Sequence, residues 1–244
     1  MAAMGLSLVV EAFDAESLRL SEVVAGLDEG DFARPSPCPP WTAGELLQHV
    51  RMTMERLDVM LAAPEPGGGV LVTAPDYYRA DRRFSATVNS DRIQSARRGA
   101  AAQPGAASRA AGFRRARERA WSLVRAAPPQ RVVLTRHGDR MVLTEFLRTR
   151  VFELAVHGLD LAAALDRRPW MTAAAAQVTE ELLLTSADAA RLRAAAGWDR
   201  VTLIAKLTGR AAATAAETRL IGSLDVRPLA LGLATRGRRR CRRR

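Results

Sequence analysis

The chain has 244 residues, of which 48% are hydrophobic and 5% aromatic, and it carries a formal net charge of +11. This length and composition allow one large or two small domains whose core needs no covalent crosslinks. The two cysteines, Cys38 and Cys241, exclude a disulfide framework and a cysteine-based zinc site. No apolar run approaches the ~20 residues of a membrane span and no targeting segment is evident, so we expect a cytoplasmic protein without a membrane anchor.

Most of the positive charge lies in the tail 236–244, which contains seven arginines. Such a tail can bind phosphate backbones without sequence preference, but a solvated, disordered end is the simpler interpretation. No aromatic residues alternate with these arginines to form a base-stacking surface. We therefore expect nucleic-acid contact, if any, through this tail alone.

Two amphipathic helices are predicted first. Apolar residues recur at helical spacing over 6–27, and a turn-rich link over 26–40 follows. The second helix begins after Thr42, because Thr42 and Glu45 form a capping box in which each side chain satisfies a free backbone donor. This helix carries His49 near its apolar face.

The middle of the chain is predicted to contain a loop, helices and a hairpin. Glycine and proline mark a loop over 64–76, and helical patterns follow over 84–98 and 106–126. The break over 99–105 leaves open whether these are two helices or one kinked helix. Two apolar runs around a His-Gly-Asp turn predict a β-hairpin over 131–143.

The second half of the chain is predicted to be helical. A long helix over 145–165 has Thr144 as its N-cap, with an acidic residue at its positive end. Further helices are predicted over 172–196 and 199–208. The pattern over 211–235 favours neither helix nor strand.

The helix over 145–165 carries four ionisable side chains on one face. At about 100° per residue, Arg150, Glu153, His157 and Asp160 fall within roughly 80° of arc on an otherwise apolar helix. Burying such groups without partners costs several kcal/mol each, so something must compensate them. A divalent metal is one candidate, because Glu153 and His157 are one turn apart and can both reach one ion.

The third ligand of such a site has to come from another element. Of the three histidines, His137 lies in the predicted hairpin turn, whereas His49 lies on a core-facing helix and is the better candidate. A His-His-Glu set leaves one coordination position open, as in catalytic zinc sites. Asp160 would then orient a ligand histidine, and Arg150 would bind a substrate carboxylate or pair with Asp160. The alternative is that His49 is an ordinary core histidine and the others form a surface pair.

Other site chemistries fit less well. The His-Glu-x-x-His motif of metalloproteases is absent, because Gln48 precedes His49 and Val50 follows it. Non-haem iron oxygenases use two histidines and a carboxylate but usually on β-barrels. There is no Gly-x-Ser-x-Gly elbow, and the glycines at 67–69 lack the lysine and helix of a phosphate-binding loop. Cys38 is interpreted as a small buried residue rather than a nucleophile.

Two stretches in combination resemble a known family. The stretch over 36–49 reads SPCPPWTAGELLQH, and the stretch over 150–161 reads RVFELAVHGLDL. In this order they resemble the mycothiol-dependent maleylpyruvate isomerase family, which belongs to the DinB-like metal-binding four-helix bundles. The resemblance extends over about residues 6–232 and includes the segment KLTGR at 206–210.

The resemblance implies a metal triad of His49, Glu153 and His157, with zinc as the expected metal, and a mycothiol cofactor. A free thiol has a pKa near ~8.5, and metal coordination removes its proton. The thiolate would add reversibly to an activated double bond and allow isomerisation, displace a leaving group, or open an epoxide. We therefore predict a thiol-dependent transferase or isomerase acting on a small-molecule substrate.

Five further residues are assigned roles on this basis. Arg150 and Asp160 are expected to act in catalysis. Three cationic side chains are candidates for cofactor binding, with ordinary surface charge as the alternative: Arg82 (or the adjacent Arg83), Lys206 and Arg210.

The predicted fold is mainly α: a DinB-like four-helix bundle with a short hairpin and a small C-terminal α or α+β extension. The bundle is placed at 1–168, the extension at 169–235 and the arginine-rich tail at 236–244. Two positions depart from the family pattern, since Pro40 and Asp166 stand where glycine is common.

Two other functions stay open at the level of sequence. The same metal could activate water and hydrolyse a thiol conjugate or an amide. Alternatively, the bundle is a non-catalytic module that binds a metal, a thiol or a partner. A monomer and a dimer are both compatible with the sequence.

Overall fold

The computed structural model describes residues 2–79, 84–224 and 226. Arg82, Arg83 and the tail 236–244 therefore lie outside the described residues. Within them the protein is mainly helical, as predicted, with one small antiparallel sheet. The helices are α1 (Ala2–Ala25), α2 (Glu29–Ala33), α3 (Ala43–Ala62), α4 (Ala74–Tyr77), α5 (Ala86–Ala101), α6 (Ala106–Ala126), α7 (Leu143–Ala164), α8 (Ala173–Leu183), α9 (Ser186–Ala196), α10 (Arg200–Leu207) and α11 (Ala215–Gly222).

Four long helices form the bundle. α1 packs against α6 and α7, and α3 packs against the same two helices, so that the four surround one core. α5 covers α3, and α8 covers both α1 and α7. None of the described helices is long and apolar enough to cross a membrane.

α3 begins where the capping-box pattern predicts. The Thr42 side chain accepts from the backbone N–H of Glu45, and the Glu45 carboxylate accepts from the backbone N–H of Thr42 at 2.9 Å. The helix buries an apolar face that includes Leu46, Val50 and Met54. His49 is placed at the edge of this buried face.

α7 lies at the centre of the molecule, with 18 of its 22 residues buried. Its polar stripe is therefore inside the protein. The prediction that Thr144 caps this helix is wrong, because α7 begins at Leu143, two residues earlier than expected, and its N-cap is Val142. The residue before β1 supplies one acceptor that a cap would otherwise provide: the N–H of Leu143 donates to the carbonyl of Arg131 at 2.8 Å.

The predicted hairpin is confirmed and leads directly into α7. β1 (Val132–Leu134) pairs antiparallel with β2 (Arg140–Val142), and the turn contains Gly138 at a positive φ of 84°. The loop before α4 adds an isolated parallel bridge from Leu71 to Arg140. This places His137, in the hairpin turn, beside the ring of Tyr77 after that loop.

The C-terminal end of α7 explains the unusual residue at position 166. Asp166 has a φ of 54°, the left-handed conformation that favours glycine, asparagine and aspartate. The N–H groups of Asp166 and Arg167 donate to the carbonyls of Ala163 and Ala162, as in a Schellman motif. This turn, near the expected boundary at residue 168, leads from α7 to α8.

Three expectations for the connecting regions need correction. The single helix expected over 172–196 is two helices, because Leu184 is extended and the Thr185 side chain caps α9 by accepting from the N–H of Asp188. The loop expected over 64–76 contains the start of α4. The unassigned region 211–235 contains α11, so the described part of the extension is helical.

Candidate metal centre

Three side chains from two helices converge at one point of the bundle interior. His49 comes from α3, and Glu153 and His157 come from α7 one turn apart. The Glu153 Oε2 lies 3.2 Å from His157 Nε2 and 3.6 Å from His49 Nε2. One ligand atom from each residue lies within 4.8 Å of the others, so the set fits the donor pattern of a divalent metal.

Each of the three side chains is supported by a different neighbour. The His49 ring is stacked on Trp41, with ring centroids 4.9 Å apart. The Glu153 Oε1 accepts from the Tyr78 hydroxyl at 3.1 Å. The third side chain, His157, has its Nδ1 2.9 Å from the Asp160 carboxylate, as expected from sequence. The roles of Trp41 and Tyr78 were not predicted.

The ionisation of the centre follows from burial and from these contacts. Burial lowers the pKa of His49 to about 4. Burial would also lower the pKa of His157, but hydrogen bonds with Asp160, Cys38 and Glu153 raise it well above its ordinary value. Burial would raise the pKa of Glu153, but hydrogen bonds with the two histidines hold it well below the usual range. These contacts favour the protonated form of His157 and the ionised form of Glu153.

Asp160 is buried completely and is shared by three partners. Arg210 binds it with two parallel hydrogen bonds, from Nε to Oδ1 and from Nη2 to Oδ2, both at 3.0 Å. The Cys38 Sγ donates to Oδ2 at 3.2 Å. Cys38, His157 and Asp160 are a second group of potential metal ligands. Because the Asp160 carboxylate is already occupied by Arg210, the set with His49 and Glu153 fits a metal better.

A cavity of about 370 Å³ borders the candidate metal centre. At one end it is lined by the metal-ligand set and by Cys38 and Trp41. The rest of the lining is rich in cationic and aromatic side chains. The cationic ones among the described residues are Arg56, Arg92, Arg136 and Arg150. A small molecule in this cavity would therefore contact both the candidate metal ligands and several guanidinium groups.

Arg150 lies in the cavity wall, and the alternative that it pairs with Asp160 is wrong. Its guanidinium lies 4.6 Å from the centroid of the Phe146 ring, and its Nε donates to Thr149 Oγ1 at 3.1 Å. Ten residues of helix separate Arg150 from Asp160, a rise of about 15 Å. Arg210 from the C-terminal extension takes the place of Arg150 as the partner of Asp160.

Arg56 and Arg136 are cavity residues that were missed at the level of sequence. Burial, followed by the charges of Arg136 and Arg150, lowers the pKa of Arg56 to about 10. Burial and the nearby arginines likewise lower the pKa of Arg136, against the opposing effects of Tyr77 and Glu153. No carboxylate among the described residues forms a salt bridge with any of these three arginines. The sequence could have indicated Arg56, because it follows His49 by two helical turns and therefore lies on the same face of α3.

Of the predicted cofactor-binding cations, the two that the structure describes, Lys206 and Arg210, do not line the cavity. Lys206 donates to Glu217 at 2.7 Å and lies over the Trp198 ring, within the extension. Arg210 faces Asp160 on the far side of His157. Arg82 lies outside the described residues, so its assignment stays a prediction.

Comparison with known proteins gives the family. The model of the mycothiol maleylpyruvate isomerase N-terminal domain matches residues 13–162, more than half of the chain. This range includes the three candidate ligands and Asp160, whereas Arg210 lies beyond it. No match was found among curated proteins.

Two solved structures are similar to this chain. A crystal structure of a histidine-to-alanine variant of the mycothiol-dependent maleylpyruvate isomerase has a TM-score of 0.51 at 15% identity. A structure of that enzyme without this substitution has a TM-score of 0.49 at 16% identity. Each comparison covers 72% of this chain and 67% of the other. At this identity the first similarity supports the fold alone, and the family match over 13–162 carries the assignment: the chain belongs to the mycothiol-dependent maleylpyruvate isomerase family of thiol-dependent enzymes.

Proposed function

We propose that this protein is a metal-dependent and mycothiol-dependent isomerase or transferase that acts on a small electrophile bearing a carboxylate. The observation that supports this most directly is the convergence of His49, Glu153 and His157 at one end of a cavity whose remaining wall is rich in arginine. A cavity of about 370 Å³ fits small-molecule ligands rather than a macromolecular substrate.

His49, Glu153 and His157 would hold the metal, and zinc is the proposed ion because two histidines and a carboxylate are a common catalytic zinc set. The metal supplies a lowered pKa for a coordinated thiol, so that the cofactor is available as a nucleophile at neutral pH. Around it, Trp41 restrains the His49 ring, and Tyr78 restrains the Glu153 carboxylate by hydrogen bonding. These contacts reduce the rearrangement needed when the ligands bind an ion.

The arginines Arg56, Arg136 and Arg150 supply the charge that an anionic substrate needs. Their like charges repel one another, and none has a salt bridge with a described carboxylate. A bound carboxylate would relieve this repulsion and would accept charge-assisted hydrogen bonds. Mycothiol is an uncharged thiol at neutral pH, so this positive wall favours an anionic substrate beside it rather than the cofactor itself.

For a cis-configured, conjugated keto acid such as maleylpyruvate, bound mycothiol would supply a thiol nucleophile that adds reversibly to the conjugated double bond, so that this bond could rotate and re-form in the trans configuration with all atoms conserved. Arg56, Arg136 and Arg150 line the cavity and would stabilise the negative charge that develops on the carbonyl oxygen of the substrate.

The test is an isomerisation assay with purified zinc-loaded protein, maleylpyruvate and mycothiol, in which the absorbance of the conjugated substrate is followed. We expect turnover that requires both zinc and mycothiol, and its loss in Glu153→Gln, which keeps the shape of the side chain but removes a ligand charge. Isomerisation without any thiol would contradict the proposal, and hydrolysis of a thiol conjugate or an amide by the same protein would favour the hydrolytic alternative. A purified protein that binds no zinc would contradict the metal assignment.

A further inference from the structure

The side chain of Arg210 reaches the metal centre from outside the four-helix bundle. This side chain is only 5% exposed, and it donates two parallel hydrogen bonds to the Asp160 carboxylate. The same carboxylate oxygen that accepts from Arg210 Nη2 lies 2.9 Å from Nδ1 of His157. A forked contact fixes the plane of a carboxylate, not only its position. The orientation of the His157 ring therefore depends on a residue 53 positions further along the chain.

Arg210 is itself held firmly at the end of α10. Its backbone N–H donates to the carbonyl of Ala205 at 2.7 Å, and its Nη1 donates to the carbonyl of Thr208 at 2.8 Å. Gly209, just before it, has a positive φ of 75°, which lets the chain turn sharply there. α10 packs against both α7 and α8. These contacts hold the Arg210 guanidinium in a fixed position relative to the extension.

We propose that Arg210 is a positioning residue of the metal centre: it locks the Asp160 carboxylate so that Nε2 of His157 faces the metal, and the C-terminal extension thereby completes a site whose ligands all lie in the bundle. The proposal rests on the metal site proposed above. A simpler role would be to neutralise a buried carboxylate. The two roles differ in what they require, because neutralisation needs only a positive charge, whereas orientation needs two donors in a fixed geometry.

Zinc affinity, measured by competition with a chromogenic chelator in the absence of thiol and substrate, separates these roles. We expect Arg210→Met to bind zinc about 10- to 100-fold more weakly than the wild type, as is usual when a group that orients a metal ligand is lost. Arg210→Lys keeps the charge but not the fork, and we expect it to lose nearly as much. Wild-type affinity in Arg210→Lys would overturn the positioning role.

Lys206→Met is the matched control. It removes another cation of the same extension, the half-buried partner of Glu217, without touching Asp160. We expect its zinc affinity to equal that of the wild type. If it weakens zinc binding as much as Arg210→Met does, the effect belongs to the stability of the extension and the proposal is overturned.

The absorption spectrum of the Co²⁺-loaded protein gives a readout that altered stability alone does not move. At saturating Co²⁺, we expect Arg210→Met to show shifted visible bands, because one histidine ligand is no longer held in place, and Lys206→Met to match the wild type. Identical spectra in all three proteins would contradict the proposal.

An Asp160→Asn background keeps the test decisive if the single variant folds poorly. With no carboxylate to orient, replacing Arg210 by Met should cause little further loss of zinc affinity, since the two residues act through one contact. An equal loss in both backgrounds would show that Arg210 does not act through Asp160. A wild-type protein without zinc affinity would instead contradict the metal site itself, and equal affinities of wild type and Arg210→Met would overturn only the role of Arg210.

Discussion

His157 is placed between two carboxylates, with Glu153 3.2 Å from its Nε2 and Asp160 2.9 Å from its Nδ1. These contacts outweigh burial and raise its pKa well above the ordinary value, whereas His49 contacts one carboxylate and has its pKa lowered by burial to about 4. The two histidine ligands therefore start from different protonation states. A metal that binds both has to displace one proton, which is the one on His157.

Zinc affinity should consequently rise with pH across the neutral range. Because the pKa of His157 is raised, its proton is still bound at neutral pH and competes with zinc, so raising the pH weakens the competitor. We expect the affinity to increase by about tenfold per pH unit while one proton is released per zinc bound. Calorimetric titrations in buffers of different ionisation enthalpy measure this proton release directly. Affinity that is flat between pH 6 and pH 8 would show that His157 is already neutral.

Arg56 lies among other arginines, so its charge is expected to serve substrate binding rather than to stabilise the fold. Its guanidinium is crowded by Arg136 and Arg150 and has no described carboxylate partner, so Arg56→Met should not lower the melting temperature. It should nevertheless lower kcat/KM for a carboxylate substrate by about 10- to 100-fold, the effect of losing one charge-assisted hydrogen bond. Steady-state kinetics and thermal unfolding of the same variant measure both effects.

Arg119→Met is a suitable control for this change. Arg119 forms an exposed salt bridge with Asp58 on the outer surface and does not line the cavity. Its loss should leave kcat/KM unchanged. If both variants lose activity equally, the effect of Arg56 does not come from binding in the cavity.

At the scale of elements, patterns within a single helix were the most predictable features. The capping box at Thr42 and Glu45 marked the start of α3, and the polar stripe on α7 indicated two ligands of the candidate site. Tertiary contacts decided what those patterns did not. The carbonyl of Arg131, next to β1, accepts from the first N–H of α7, and an extended Leu184 divides the helix expected over 172–196. The first outcome depends on a backbone group that is distant in sequence. The second depends on Thr185, which caps a new helix where the pattern predicted a continuous one.

The end of α7 gives a prediction at this scale. Asp166 adopts a left-handed conformation that costs most residues with a side chain about 1–2 kcal/mol and glycine almost nothing. We expect Asp166→Gly to raise the free energy of unfolding by up to about 1 kcal/mol, because aspartate already tolerates this conformation better than most residues. Asp166→Ala, the matched control, keeps the strain and should not stabilise the protein. Urea unfolding of the three proteins measures the difference, and a gain in Asp166→Ala would show that the carboxylate, not the backbone, is the cause.

At the scale of the whole molecule, the candidate site joins parts that are far apart in sequence. The bundle supplies the three ligands, the hairpin supplies Arg136, and the extension supplies Arg210. The ligands were predictable because two lie on one helix and the third was one of only three histidines. The approach of the hairpin turn to the cavity was not predictable, since it depends on how β2 enters α7. The contact between Arg210 and Asp160 also depends on how distant elements pack. The sequence therefore indicated cofactor binding by Arg210, whereas in the structure Arg210 binds Asp160.

The central claim is that a thiol cofactor binds at the metal held by His49, Glu153 and His157. Calorimetric titration of mycothiol into zinc-loaded and zinc-free protein tests it most directly, with His157→Ala as the variant that lacks one ligand. We expect mycothiol binding accompanied by proton release in the zinc-loaded wild type, and no measurable binding in zinc-free protein or in His157→Ala under the same conditions. Equal mycothiol affinity with and without zinc would contradict it.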